Sequence, residues 1–196
     1  MIRVLFLAIV GLLILLYKDS FISRFFQDDF LLLKLAQSEN FFAPIANFPY
    51  RPVSINLFYS LGHSLFGPNV IGFHLLNFAF LVGALIFIFL LVKEILQDEK
   101  QALFAVFLYA FNISLFPLFY WVATSYFTLV AFFVFGGLYF YFRKNHILSF
   151  LFFILALLSN ELAVVFPALL FLLSSYLKKV NLRLLLFFFI TDIFKN

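Results

Sequence analysis

Residues 70–92 read VIGFHLLNFAFLVGALIFIFLLV, a run with no Asp, Glu, Lys or Arg. It exceeds the roughly 20 apolar residues that a helix needs to cross a bilayer. The whole chain around it has the same character. Of its 196 residues 66% are hydrophobic and only 11% are charged, against about 25% charged in an ordinary soluble domain. A soluble fold of this length leaves too much of its surface wet to hide that apolar content. The composition therefore excludes a soluble globular protein, a disordered chain and a nucleic-acid-binding module. The 35 Phe fit lipid, which accepts any large apolar side chain, and are not read as an aromatic binding surface.

Further apolar runs flank the first. Ile2–Tyr17 precedes it, with Arg3 before and Lys18-Asp19 after. No small-residue cleavage site follows, so this run reads as an uncleaved signal anchor. Ala102–Pro117, Trp121–Phe142, Ile147–Leu158, Leu162–Leu177 and Leu182–Phe194 follow residue 92. The expected fold is all-α, a polytopic transmembrane helix bundle with about seven hydrophobic segments, in one domain over residues 1–196. Residues 18–69 are too polar to span and form an outer loop with short interfacial helices. One is expected over Asp29–Ser38. Another opens at Pro52 and stops at Gly67-Pro68. Leu57, Phe58, Leu61 and Leu65 would share its apolar face, and Asn56, Ser60, His63 and Ser64 its polar one. That pattern describes an amphipathic helix lying on the membrane surface.

Lys and Arg in short loops set orientation. With the amino terminus in the cytoplasm, the inner side carries Arg3, Lys93, Lys100, Arg143, Lys144, Lys178, Lys179 and Arg183. The loops around Pro117 and Asn160 then lie outside and carry neither residue type. The expected location is the bacterial inner membrane, with the first loop extracytoplasmic. There are no cysteines, so disulfides, thiolate metal sites and a Cys nucleophile are excluded. No metal-binding spacing, Gly-rich phosphate loop or internal repeat is present.

The rare charges mark the candidate site. Asp28-Asp29 follow Phe25-Phe26-Gln27 and precede Phe30-Leu31-Leu32-Leu33. Carboxylates in apolar surroundings beside a membrane are costly and usually functional. Burial and a like charge next door raise one pKa, which suits a general base. An Asp at a helix start also caps free N–H groups, which is the competing reading. Glu161, on the same outer side, reads equally as a functional acid or as a helix-start residue capped by Ser159 or Asn160. Arg51, in Tyr50-Arg51-Pro52, suits bidentate capture of a phosphate, a lipid headgroup or an Asp. His74 and Asn77 lie one turn apart early in the span, where a lone His is commonly a packing residue. Tyr120-Trp121 reads as part of an aromatic belt.

The order of these segments resembles a known family. A signal anchor leads to an outer Asp-Asp-Phe. A Tyr-Arg-Pro-Val motif (residues 50–53) opens Ser-Ile-Asn-Leu-Phe-Tyr-Ser-Leu-Gly-His-Ser-Leu-Phe-Gly. Gly72-Phe73-His74-Leu75-Leu76-Asn77 enters the long span. Tyr120-Trp121-Val122-Ala123 and Ser159-Asn160-Glu161-Leu162 come later. This is similar to the amino-terminal part of the GT-C membrane glycosyltransferases, particularly the protein O-mannosyltransferase-like branch. The resemblance implies transfer of a sugar from a polyprenyl-phosphate carrier to an acceptor at the outer face. It implies Asp28 as the base on the acceptor hydroxyl and Asp29 as a residue that orients the acceptor or a divalent cation. Arg51 would hold the carrier phosphate, with Glu161 and His74 also at the substrate. In the family's Lys-Glu pair, Asn160 stands where the Lys would be, which removes one positive charge. The family continues through further spans, so the chain is expected to be an incomplete catalytic module. The alternative expectation is a non-catalytic membrane protein, such as a transporter piece, an assembly subunit or a truncated gene product.

Overall fold

The computed structural model describes residues 1–36 and 49–177. The expectation for 182–194, the inner-side Lys178, Lys179 and Arg183, and the end of the Asp29–Ser38 helix lie outside the described residues. The described residues are helical, with no strand among them. Nine α-helices are described: α1 (Ile2–Leu16), α2 (Asp28–Ala36), α3 (Phe58–Phe66), α4 (Val70–Leu96), α5 (Glu99–Ala110), α6 (Phe116–Tyr120), α7 (Ser125–Phe142), α8 (His146–Leu157) and α9 (Val165–Tyr176).

Two helical elements are long and apolar enough to cross a membrane: α4, and the continuous stretch Val122–Phe142 that contains α7. At 1.5 Å per residue α4 is about 40 Å long, more than the hydrocarbon thickness of a bilayer. Ile2–Leu16, His146–Leu157 and Glu161–Tyr176 are apolar but shorter. The expected segment Ala102–Pro117 is not one straight helix. α5 ends at Ala110, and the chain resumes through Ile113–Leu115 into α6 after a bend of 53°. The break has a local cause. The Asn112 side chain accepts a hydrogen bond from Ser114 N–H at 2.9 Å, the competing local bond that stops a helix and starts a new turn. Pro117 then sits in the first turn of α6.

Helix starts use the same device repeatedly. Asn69, Asp98, Asn145 and Asn160 each accept an N–H from the first turn that follows. Asp98 is held below the usual carboxylate range, chiefly by the N–H groups of Lys100 and Gln101. Gly67, at φ 60°, reverses the chain between α3 and α4, in a backbone region that favours glycine.

The core has two parts. One gathers α2, α3, α7, α8 and α9 with both ends of α4, at Phe73 and Leu91; the other gathers α1, α5 and α6 with the middle of α4, at Leu81, Leu85 and Ile88. α4 and α7 run parallel and pack closely along their length: Phe80 meets Phe132, Phe87 meets Tyr139, and Glu94 meets Arg143. Phe rings sit on glycines at this junction. A Cβ built on Gly83 of α4 would lie 2.6 Å from the Phe132 ring of α7. One built on Gly136 of α7 would lie 2.5 Å from Phe152 of α8 and 3.0 Å from Phe87 of α4. Phe87, Phe132, Phe140 and Phe152 contact one another edge-on or tilted, at centroid separations of 5.1–5.9 Å. At the far ends of these helices Lys93 pairs with Glu99 and Glu94 with Arg143, so the charged ends of α4, α5 and α7 meet on one side.

α3 departs from the expected surface helix. A wide π-type turn over Val53–Leu57 precedes it, and Val53, Ser54, Ile55 and Asn56 are buried. Phe58, Tyr59 and Gly62 face inward, with the Phe58 and Tyr59 rings against Phe73 of α4. Leu57, Leu61 and Leu65 point away from the protein. The apolar stripe Leu57-Leu61-Leu65 therefore faces outward while a second, aromatic face holds the helix to α4. Asn56, expected on the polar face with Ser60, His63 and Ser64, is instead buried within the π-type turn.

Gly136→Val should overpack the α4–α7–α8 junction, costing about 1–3 kcal/mol and lowering the unfolding midpoint of the detergent-solubilised chain. Gly11, with nothing within 4 Å of a built Cβ, is the comparison. Gly11→Ala should be neutral or stabilising, by up to about 1 kcal/mol.

Candidate functional site

Gln27, at φ 44°, turns the chain sharply into α2. Asp28 and Asp29 then fall in the first turn of a helix, where neighbouring residues point about 100° apart. One rotation separates their fates. Asp29 turns inward and is 1% exposed. Its Oδ2 accepts Phe26 N–H at 2.9 Å, and its Oδ1 accepts the Tyr59 hydroxyl at 2.9 Å. The Ala123 backbone N–H also donates to this carboxyl. Asp29 thus ties the start of α2 to α3 and to the turn before α7. Burial raises its pKa above the ordinary value of 3.8, more than these donors and despite them. The same burial, with the Asp29 charge beside it, pushes the Tyr59 hydroxyl well above 10.0.

Asp28 turns the other way, onto a cleft of about 180 Å³. Arg51, Trp121, Thr124 and Tyr126 line it with Asp28, over an apolar floor that includes Leu32 and Ile55. Arg51 arrives there because its segment is stitched to the end of α8. Val53 N–H donates to Leu158 C=O at 3.1 Å, and the Ser54 hydroxyl donates to Ser159 C=O at 2.6 Å. That stitch sets the 51–55 segment against the turn that begins at Asn160. Glu161 then meets Arg51. The Arg51 Nε donates to Oε2 at 2.9 Å and Nη2 donates to Oε1, a bidentate pair. The guanidinium carbon lies 4.5 Å from the centroid of the Tyr126 ring. The Arg51 side chain is 14% exposed and that of Glu161 is 65% exposed.

The predicted site residues therefore divide. Asp28 and Arg51 line one cleft, and Glu161 joins them through Arg51 without lining it. Asp29 lies behind the cleft with its carboxylate turned to protein donors, so it is not placed to hold a cation or an acceptor there. Among the described residues no three His, Asp or Glu side chains gather around a common point. His74 is apart from the cleft. It is buried, with Nε2 2.9 Å from the Ser23 hydroxyl. It borders a small enclosed space with Ser20, Asn77 and Thr128. Asn77 donates to Leu118 C=O at 2.6 Å, tying α4 to α6. Both residues read as packing groups between helices. Asn160 is buried and caps the Glu161–Val164 turn through Leu162 N–H at 2.9 Å.

No family model, curated protein or solved structure matches this chain.

Three contributors were not singled out from the sequence as site residues. Tyr59 holds Asp29, Tyr126 carries Arg51, and Trp121 walls the cleft, although it had been assigned to an aromatic belt. Tyr50-Arg51-Pro52 sets an aromatic residue beside a rare charge, and Tyr120-Trp121 is an aromatic pair with no charge next to it. Their mutual approach is long-range and left no local trace.

A carboxyl whose folded pKa is raised holds its proton more tightly in the folded chain than in the unfolded one. Asp29 therefore makes stability fall as pH rises from 3.8 towards its folded value, and acidification through that window restores it. Asp29→Asn should remove this slope in pH-dependent denaturation of the solubilised chain. Tyr59→Phe leaves a buried carboxylate short of a donor, and should destabilise by about 1–3 kcal/mol at neutral pH.

Proposed function

We propose that the chain is a membrane-embedded, GT-C-type glycosyltransferase module that moves a sugar from a polyprenyl-phosphate carrier to an acceptor at the extracytoplasmic face. In this reading it is a polytopic bundle of seven hydrophobic segments in a bacterial inner membrane. The amino terminus is cytoplasmic and residues 18–69 lie outside. The gathering of Lys93, Glu94, Glu99 and Arg143 at the ends of α4, α5 and α7 remote from the cleft supports that orientation.

One observation carries the functional reading: Asp28 and Arg51 line the same cleft, at the start of the apolar stretch Val122–Phe142. Asp28 is the acceptor's base. As the acceptor oxygen attacks the anomeric carbon, the Asp28 carboxylate takes its proton. The bond between that carbon and the phosphate oxygen breaks, and polyprenyl phosphate leaves. Arg51 stabilises the phosphate as this bond breaks, with Tyr126 against its face. Asp29 holds α2 so that Asp28 faces the cleft. His74 is left out of the chemistry. The reaction as written needs no metal ion, and the Asp29 carboxylate, turned to protein donors, offers none a place.

A second reading has one observation in its favour. Arg51 and Glu161 satisfy each other, as they would in a non-catalytic membrane protein where they only join two loops.

Two measurements separate the readings. Asp28→Asn should slow transfer from a lipid-linked sugar by about 10²-fold or more, the usual contribution of a general base. A photoreactive polyprenyl phosphate should label the peptide that carries Trp121 and Tyr126, and Arg51→Gln should abolish the labelling. Unchanged labelling in Arg51→Gln, with unchanged transfer in Asp28→Asn, would sink the transferase reading in favour of the second.

A further inference from the structure

The Arg51–Glu161 pair offers the cleft less positive charge than an arginine alone. Glu161 takes the Nε and Nη2 side of the guanidinium with both carboxylate oxygens. Tyr126 covers a face. Nη1 is the guanidinium nitrogen that these two bonds do not use, and Arg51 lines the cleft. Arg51, Glu161 and Asp28 together carry one net negative charge, so a phosphate that approaches Nη1 meets a directional donor without a strong attractive field. Direction favours any phosphate oxygen; net charge penalises each additional negative charge on the ligand.

We infer, resting on the transferase reading above, that Glu161 makes the cleft selective for a singly charged phosphodiester over a doubly charged phosphomonoester. The two ligands stand on either side of the reaction. The lipid-linked sugar donor is a phosphodiester with one negative charge. Transfer breaks the bond from sugar carbon to phosphate oxygen and leaves a phosphomonoester, whose second ionisation lies near pH 6. The acceptor's proton goes first to Asp28, and charge is conserved in the step. When Asp28 returns that proton to water, the cleft again carries its net negative charge and now holds a dianion. Product leaves because the site repels it more than it repels the donor. Glu161 is a specificity-determining residue that acts through Arg51, and it touches neither reacting atom. Its exposure limits the size of the effect, because solvent screens a carboxylate that is 65% exposed.

The chain carries a single Trp. It is Trp121, in the cleft wall, and its fluorescence reports binding there. The full chain is placed in nanodiscs of phosphatidylcholine at about pH 8, where the monoester is fully ionised. It is titrated with dodecyl phosphate, a monoester, and with dodecyl methyl phosphate, a diester. Wild type should bind the diester at least as tightly as the monoester. Glu161→Gln should shift the affinity ratio towards the monoester by about tenfold. Glu161→Asp, which keeps the charge, should keep the wild-type ratio. Because the ratio compares two probes on one sample, a smaller folded fraction does not alter it. If Glu161→Gln weakens or strengthens both probes by the same factor, Glu161 merely positions Arg51 and the inference is overturned while the transferase reading stands. If neither probe binds to wild type or to Glu161→Gln, the transferase reading and the inference fall together.

Discussion

Phe rings seated on glycines hold the centre of this fold. Gly83 and Gly136 let Phe132, Phe152 and Phe87 lie directly on helix backbone. α4 and α7 approach closely there, and α8 closes the third side. Helices surrounded by apolar neighbours gain little from burying one more apolar side chain. They gain from close packing, which small residues permit. The chain combines small residues with unusually large ones to reach that packing. Once α4 and α7 are fixed in parallel, their amino-terminal ends carry the α3 segment and the turn before α7 to the same place.

The cleft is built on that frame by three long-range ties. The bonds from Val53 and Ser54 to Leu158 and Ser159 anchor the Arg51 segment to α8. The Arg51–Glu161 pair extends the anchor to the next turn. Asp29, through Tyr59 and Ala123, anchors α2 to α3 and to the wall of the cleft. Ser54, Asp29 and Tyr59 are buried and hydrogen-bonded, as an apolar setting demands, whereas in the Arg51–Glu161 pair only the arginine is largely buried. The ion pairs Lys93–Glu99 and Glu94–Arg143 lie at the surface and contribute little, about 0–1 kcal/mol each.

What the sequence made legible follows from the range of the interactions. The run 70–92 and the apolar stretch ending at Phe142 need only local hydropathy, and both are helices of sufficient length. The stop at Gly67-Pro68 and the cap at Asn160 are local signals and are present as read. The bend after Ala110 was written in Asn112 and Pro117, but hydropathy averages over such residues and shows one segment. The adjacent Asp28 and Asp29 were indistinguishable by composition; the first turn of α2 decides which one is buried. The partnership of Arg51 with Glu161 joins residues 110 apart in sequence, and no periodicity reports it. Tyr59 escaped because its hydroxyl matters only once α2 lies against α3.

α1 carries a consequence of its own. It has 15 residues, of which Ile9 and Leu13 are buried, and its end is held by the Tyr17 ring stacked on Phe119 at 3.7 Å. At 1.5 Å per residue it is about 22 Å long, shorter than a bilayer's hydrocarbon layer of about 30 Å. In the proposed placement, hydrophobic mismatch falls on this helix, while α4 has length to spare and can tilt. The lipids beside α1 must thin to meet it. Tyr17 stacks on the short helix that leads into Trp121, so membrane thickness has a mechanical route from α1 to the wall of the cleft.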